Sequence, residues 1–288
     1  MATNEKFTLL TVNDWPRLQY LYKQDWPKYI VPYYLLQNYI SWHAKDEEYV
    51  EKNVKVVILE DDWSDGTFLL LEKSYLFFYT LNKSPKRLEQ LLEYLDPTKL
   101  YRARCIYEKD KHSFKKVCLG KFGMQLYHEH DCVMFAMMRE NALHYMERPI
   151  PKGITLKRLT PDIVPRITPH YVLRNEDTSE LFERLINFNF SMGAFNDEGE
   201  LLAYNLQFMS GEVMAMQVDP KHKRRKLGSI LAERMGKLIS RNGADVFARV
   251  AAENTPALKM SESLGMTNLG RMSHIVVGPK DDKIKNKL

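Results

Sequence analysis

The stretch from Gly211 to Ser229, GEVMAMQVDPKHKRRKLGS, concentrates charge at the point where an extended pattern gives way to a helical one. Asp219-Pro220 ends an apolar run, five of the six residues 221–226 are Lys or Arg, and Leu227-Gly228 opens an amphipathic period. A helix start offers unpaired backbone N–H groups and the positive end of a dipole, and cations beside it add full charges. The chemistry implied is anion holding, with a phosphate-bearing ligand as the occupant. A basic run alone more often marks a solvated loop, a nucleic-acid patch or a nuclear-import signal. The strand before the run and the glycine-led helix after it favour the phosphate ligand, and no aromatic residue interleaves it as a single-strand binder would need. Glu212 begins a strand that climbs about 20 Å from 212 to 218, which sets a carboxylate at one end well away from phosphates at the other. The plainer alternative makes Glu212 a surface residue beside a turn.

Such a loop needs a strand and a helix on either side, and the chain after residue 153 supplies them. Strands are expected at 154–159, Ser191–Phe195, 201–208 and Val213–Val218, with helices after Pro161 and over 179–188. Asn196 to Gly199 and Ser210-Gly211 make the turns, and Gly193 reads as a bulge. The helix from Gly228 presents Ile230, Leu231, Met235, Leu238 and Ile239 on one face and stops at Asn242-Gly243. A strand over 246–250 follows, then Thr255-Pro256 as cap and first-turn proline of a helix ending at Gly265, and a closing strand over 273–277. Met209, Met214, Met216, Met260 and Met266 read as core fillers, with lining of an adaptable pocket as the alternative.

The first half shows helices starting at Asp14-Trp15-Pro16 and at Pro32. Strands follow at Val54–Leu59, 67–71 and 75–80, with a turn at Asp65-Gly66. Ser84-Pro85 caps a helix carrying Leu88, Leu91, Leu92 and Leu95, and 133–138 is a buried strand. Glu147 to Gly153, with two prolines and a glycine, is the expected linker, dividing the chain into domains 1–147 and 148–288.

At 288 residues with 44% hydrophobic and 27% charged side chains, the chain has the size and composition of two folded domains. A net charge of +5 is modest and argues for no nucleic-acid partner. Cys105, Cys118 and Cys132 are odd in number and too widely spaced for a zinc pair, which implies free thiols in a reducing compartment. His170, His222 and His274 stand apart, so no metal is expected. The N-terminus lacks a basic segment followed by an apolar run, and no apolar stretch is long enough to cross a bilayer. A cytoplasmic chain without a membrane partner is expected, with an internal mitochondrial address left open.

Val218, Pro220, His222, Lys223 and Gly228 fall on V-x-P-x-[YH]-[RQ]-x-x-G-x-[GA], so the segment resembles motif A of the GNAT acyltransferases, with Lys223 replacing Arg or Gln and Lys226 standing where the first glycine belongs. Asn254 to Met266, NTPALKMSESLGM, resembles motif B of the same superfamily, in the expected order. Gly211-Glu212 and Lys259-Met260-Ser261 bring it nearest to the glycine N-acyltransferase-like branch. The resemblance implies an α+β fold of two tandem GNAT-like domains, mixed but mainly antiparallel sheet flanked by helices, with the N-terminal domain degenerate and without its own coenzyme site. It implies acetyl-coenzyme A or a longer acyl-coenzyme A as co-substrate, held by Met216, Val218, Lys223, Arg224, Arg225, Lys226, Leu227, Gly228 and Ser229, with Asn254 on the pantetheine arm. The acyl group passes to the amino group of a small acceptor such as glycine or another amino acid. Glu212 is the implied general base. Ser261 holds the place of the tyrosine that protonates the leaving thiolate, and as a poorer acid it bonds the sulfur or simply packs. A lysine at 226 is expected to keep the loop out of the positive-φ region. A protein N-acetyltransferase and a non-catalytic acyl-coenzyme A binder are the alternatives.

Overall fold

The computed structural model describes residues 6–171 and 173–281. In chain order the first half forms β1 (Phe7–Leu9), α1 (Trp15–Leu21), α2 (Ile30–His43), α3 (Glu47–Asn53), β2 (Val54–Leu59), β3 (Phe68–Glu72), β4 (Tyr75–Tyr79), α4 (Pro85–Leu92), β5 (Tyr101–Tyr107), α5 (Glu108–Lys115) and β6 (Gln125–Met137). The second half forms α6 (Arg139–His144), β7 (Thr155–Lys157), α7 (Val164–Ile167), α8 (Thr178–Phe188), β8 (Ser191–Phe195), β9 (Leu201–Gln207), β10 (Val213–Val218), α9 (Leu227–Arg241), β11 (Val246–Ala251), α10 (Thr255–Ser263) and β12 (Thr267–Gly278).

Two compact units result. One takes the chain up to Cys132 and again from Arg271; the other is Val133–Gly270. The division thus falls within β6 and β12, not between 147 and 148. The expected linker belongs to the second unit because side chains fasten it there: Glu147 pairs with Arg234 and, at 3.5 Å, with Lys237, while Arg148 donates its backbone N–H (2.9 Å) and its guanidinium to Glu233. Proline and glycine marked irregular backbone, which is a different thing from a boundary between cores.

In the first unit β1 to β4 pair antiparallel in sequence order, β5 lies parallel to β4 (Leu76↔Ala103), and β12 joins β5 antiparallel (Val277↔Tyr101). Local chemistry sets the helix starts. Asp46 accepts the Tyr49 N–H at 2.9 Å, and Ser84 caps Pro85–Leu92 through the Lys86 N–H. Leu88, Leu91 and Leu92 then pack on Val57, Leu69, Phe78 and Ile106 as one core. β5 is the strand hidden from sequence, because Arg102 and Arg104 interrupt YRARCIY. Both are 2% exposed, Arg102 donating to Ser74 Oγ (3.0 Å) and Arg104 lying over the Tyr75 ring.

In the second unit β7, β8, β9 and β10 pair antiparallel, and β11 runs parallel to β10. α9 covers this sheet, with Leu227 and Leu231 on Ala194, Leu202 and Ala203, and Met235 and Ile239 on Val213 and Val246. Gly193 is required by packing rather than by a bulge: a Cβ there would stand 2.6 Å from Leu159 and 2.8 Å from Leu201, while the register shift falls between Ala194 and Phe195.

Candidate functional site

β10 opens the site by leaving its neighbours. Among the described residues its parallel register with β11 is Val213↔Ala248 alone, and against β9 the register shifts between Met214 and Gln217. Ala215 inside that shift has φ 53°, the mark of a bulge that bends a strand away from its partner. The half of β10 leading to Val218 is therefore splayed from β11. The Asp219 N–H still bonds Leu202 O at 2.8 Å, and Pro220 then ends the ladder.

The loop that follows is built on its own backbone. Asp219 Oδ1 accepts the Lys221 N–H at 2.8 Å, and His222 Nδ1 meets Arg225 Nη1 at 3.0 Å. Arg224 and Lys226 have φ 64° and 61°, so Lys226 adopts the left-handed conformation that the sequence reading denied it. That conformation costs a non-glycine residue on the order of 1–2 kcal/mol, and it turns the chain sharply into α9. The cationic side chain stands in a position shaped for glycine. Lys221, Lys223, Arg224, Arg225 and Lys226 are exposed, and none pairs with an acidic side chain among the described residues. No side chain caps α9, and the first of its N–H groups to bond within the helix is that of Ile230, to Lys226 O at 3.0 Å. The N–H groups of Leu227, Gly228 and Ser229 thus have no partner within α9 and follow directly on five exposed cations, an arrangement that suits an anion.

Gly228 is the point where the two motifs meet. A Cβ placed on it would lie 3.6 Å from Val218 Cγ2 and 3.8 Å from the sulfurs of both Met216 and Met260. Side chains of β10 and of α10 thereby meet at the start of α9, around Gly228. Asn254 caps α10, its Oδ1 accepting the Ala257 N–H at 3.3 Å, and remains exposed; it, not Thr255, is the cap residue. Ser261 is 3% exposed and its hydroxyl donates to Ala257 O at 3.1 Å, one turn back in its own helix.

Glu212 is not a surface residue. It is fully buried in the turn joining β9 to β10, where it accepts from Ser210 Oγ at 2.5 Å and pairs with Arg249 Nη2 at 3.4 Å. Arg249, on β11, is the site residue that sequence reasoning missed. Its guanidinium lies over Phe208 and reaches Met214 Sδ at 4.0 Å. The available sign was an arginine inside an apolar strand, VFARVA, which needs a buried partner. His274 is not isolated either: its ring packs on those of His130 and His128 in the first unit. Cys105, Cys118 and Cys132 are free and buried, and burial pushes the Cys118 thiol up to about 12. No helix among the described residues is long and apolar enough to cross a membrane.

A family model described as FR47-like protein matches residues 191–274, the segment from β8 into β12. No curated protein sequence matches the chain. Among solved structures, a Drosophila protein determined by structural genomics superposes with TM-score 0.88 at 20% identity, covering 96% of this chain and 99% of that one. A tandem GNAT protein from the clavulanic acid biosynthesis pathway superposes with TM-score 0.53 at 13% identity, covering 96% and 99%. A GCN5-related N-acetyltransferase from Sphaerobacter thermophilus gives TM-score 0.51 at 14% identity and covers 96% of each chain. The fold is that of tandem GCN5-related N-acetyltransferases, an α+β architecture with mixed, mainly antiparallel sheet flanked by helices.

Proposed function

We propose that the second unit binds an acyl-coenzyme A and transfers its acyl group to the amino group of a small acceptor such as glycine or another amino acid. The observation that carries this reading is the convergence at Gly228: a helix start without a side-chain cap, preceded by five exposed cations without acidic partners among the described residues, meets Met216, Val218 and Met260. The charges and N–H groups suit the phosphates, and the pantetheine arm would run along β10 with Asn254 beside it. No covalent intermediate is needed. The amine nitrogen attacks the thioester carbonyl, the C–S bond breaks, the ammonium proton passes to a base and the thiolate leaves. Backbone N–H groups freed by the bulge in β10 would polarise the carbonyl.

Glu212 is the base of this reading. In the described conformation it is fully buried, so the turn 208–211 must open when the acceptor binds. The same burial favours a second reading, in which Glu212 and Arg249 form a structural clamp between the β9–β10 turn and β11. Glu212→Gln separates the two. A base role predicts turnover lower by roughly 10²-fold or more near neutral pH with coenzyme binding retained, the loss shrinking as pH rises and free amine becomes abundant. A clamp role predicts a lower melting temperature and a turnover per folded molecule that keeps its pH profile. The assay is thiol release with acetyl- and longer acyl-coenzyme A against a panel of amino acids. Release driven by peptides and not by free amino acids would redirect the reading to protein N-acetylation, and binding without release for any amine would leave a coenzyme binder.

A further inference from the structure

The first unit holds a second concentration of ligand chemistry that acyl transfer does not use. His128 and His130 lie two residues apart on β6, so their side chains leave the strand on the same side. Their rings are 5.0 Å apart between centroids, and His128 Nε2 faces His130 Nδ1 at 2.9 Å. The ring of His274, on β12, packs 5.1 Å from His130 and 6.0 Å from His128. His274 is 3% exposed and its Nδ1 stands 3.1 Å from the Ala103 carbonyl, which can only accept, so this contact fixes which nitrogen of that ring carries the proton and holds the ring as a wall behind the other two. Glu129 and Asp131, of the alternate register, are engaged elsewhere: Glu129 pairs with Lys115 at 2.7 Å and Asp131 with Lys111 at 2.9 Å and Ser273 Oγ at 2.7 Å. Those partners hold both carboxyls below the ordinary carboxylate range.

We propose that His128 and His130 chelate a divalent transition ion that binds imidazole in square-planar or tetragonal geometry, Cu²⁺ or Ni²⁺. Two imidazole nitrogens bound at about 2.0–2.1 Å and at right angles to each other about one square-planar or tetragonal ion are about 2.9 Å apart, and His128 Nε2 and His130 Nδ1 stand 2.9 Å apart. Binding would exchange one N–H···N contact for two metal–nitrogen bonds, both rings turning so that their lone pairs converge on the ion. His128 is exposed and His130 half-buried, so the ion enters from solvent and water completes its shell. Imidazole pairs rank these ions with copper first, and the ligand nitrogens must be unprotonated, so affinity falls on acidification.

The test is metal binding by the untagged full chain, followed by competition with a chromophoric chelator and by the nitrogen splitting in the electron paramagnetic resonance spectrum of bound Cu²⁺. The parent is compared with the double variant H128A/H130A and with His43→Ala. His43 is the control because it lies 3.8 Å from Glu47 and 3.9 Å from Glu51, the other group of metal-ligand type among the described residues. The parent and His43→Ala are expected to bind one Cu²⁺ with two-nitrogen splitting and to gain thermal stability from it. In H128A/H130A, affinity should fall at least about tenfold, the lower end of what even outer-shell losses produce, and the splitting should vanish. Parental binding in the double variant, or loss of binding in His43→Ala, overturns the assignment. So does a parent whose Cu²⁺ spectrum shows no nitrogen ligands. These readouts do not involve acyl transfer and are unaffected by its failure.

Discussion

Each unit contains a strand–helix–strand crossover around a parallel pair, β4–α4–β5 in the first and β10–α9–β11 in the second, and the two are finished in opposite ways. In the second, β10 splays from β11 and nothing caps α9. In the first, the corresponding ends are closed. Tyr79 on β4 meets Tyr107 on β5 at 5.8 Å between ring centroids, Tyr22 and Tyr29 pack on them, and Lys109 Nζ donates to Thr80 O at 2.7 Å. Burial raises the hydroxyl pKa of Tyr22 and Tyr107 well above the ordinary value. The helix start is closed as well: Ser84 takes the Lys86 N–H, Pro85 has none to offer, and nearby Arg87 is committed to Asp62 and Asp65. One topology thus yields an open helix start or a plugged core, depending on what fills the fork between two parallel strands and on whether a side chain occupies the helix N-terminus.

The largest effect that would break this contrast is at Gly228. Gly228→Glu sets a carboxylate among the N–H groups at the start of α9, and the rise in melting temperature given by acetyl-coenzyme A in the parent should disappear. In the parent that rise should shrink with added salt, since exposed phosphate contacts are screened. Residual stabilisation of the variant by coenzyme would mean that the plugged unit also binds it. Next in size is Tyr79→Ala, which removes a 1% exposed ring from the plug. It should cost about 3 kcal/mol or more by denaturant unfolding, as aromatic truncations in cores do. It should create no coenzyme binding in a Gly228→Glu background, because Ser84 already caps the start of α4 in the crossover of the first unit.

The third effect is a pH dependence inside the plug. Asp110, in the first turn of α5, has its carboxyl pushed from the ordinary value of 3.8 up to about 6, chiefly by burial and against the pull of Lys109. The folded state therefore holds this proton more tightly than the unfolded one. The stabilising contribution is complete below about 4 and is lost as pH rises through about 6. Asp110→Asn should match the parent below pH 4 and exceed it in stability above pH 6, by up to about 3 kcal/mol at 1.36 kcal/mol per pKa unit. Urea midpoints across that range provide the measurement, and parallel curves for the two proteins would contradict it.

What the sequence disclosed and what it hid follow one physical line. Ser191–Phe195 and Val213–Val218 were read to the residue, because apolar strands bounded by turn residues carry their own limits. β5 was missed because buried arginines read as surface. The domain boundary was misplaced because it falls inside two strands, where composition does not change. The helix start at Leu227 after the basic run was legible from Leu227-Gly228 opening an amphipathic period. The burial of Glu212, its pairing with Arg249 and the meeting of three histidines depend on the register of strands distant in sequence, and periodicity holds no record of that.

The smallest expected effect concerns the loop backbone, where sequence and structure disagreed. Lys226 sits at φ 61° and ψ 14° with its side chain exposed, so it carries the strain of a left-handed residue without packing that repays it. Glycine reaches that conformation freely but gains more entropy when unfolded, so the two terms partly cancel. Lys226→Gly should therefore raise stability by no more than about 1 kcal/mol. Coenzyme binding should respond in the other direction. The variant keeps the geometry of the N–H groups and loses one cation of five, so affinity should drop modestly at low salt and converge on the parent as salt increases. A loss that persisted at high salt would show that the lysine acts through a direct, desolvated contact with the ligand rather than through its field, and would make the departure from glycine at this position a feature of recognition.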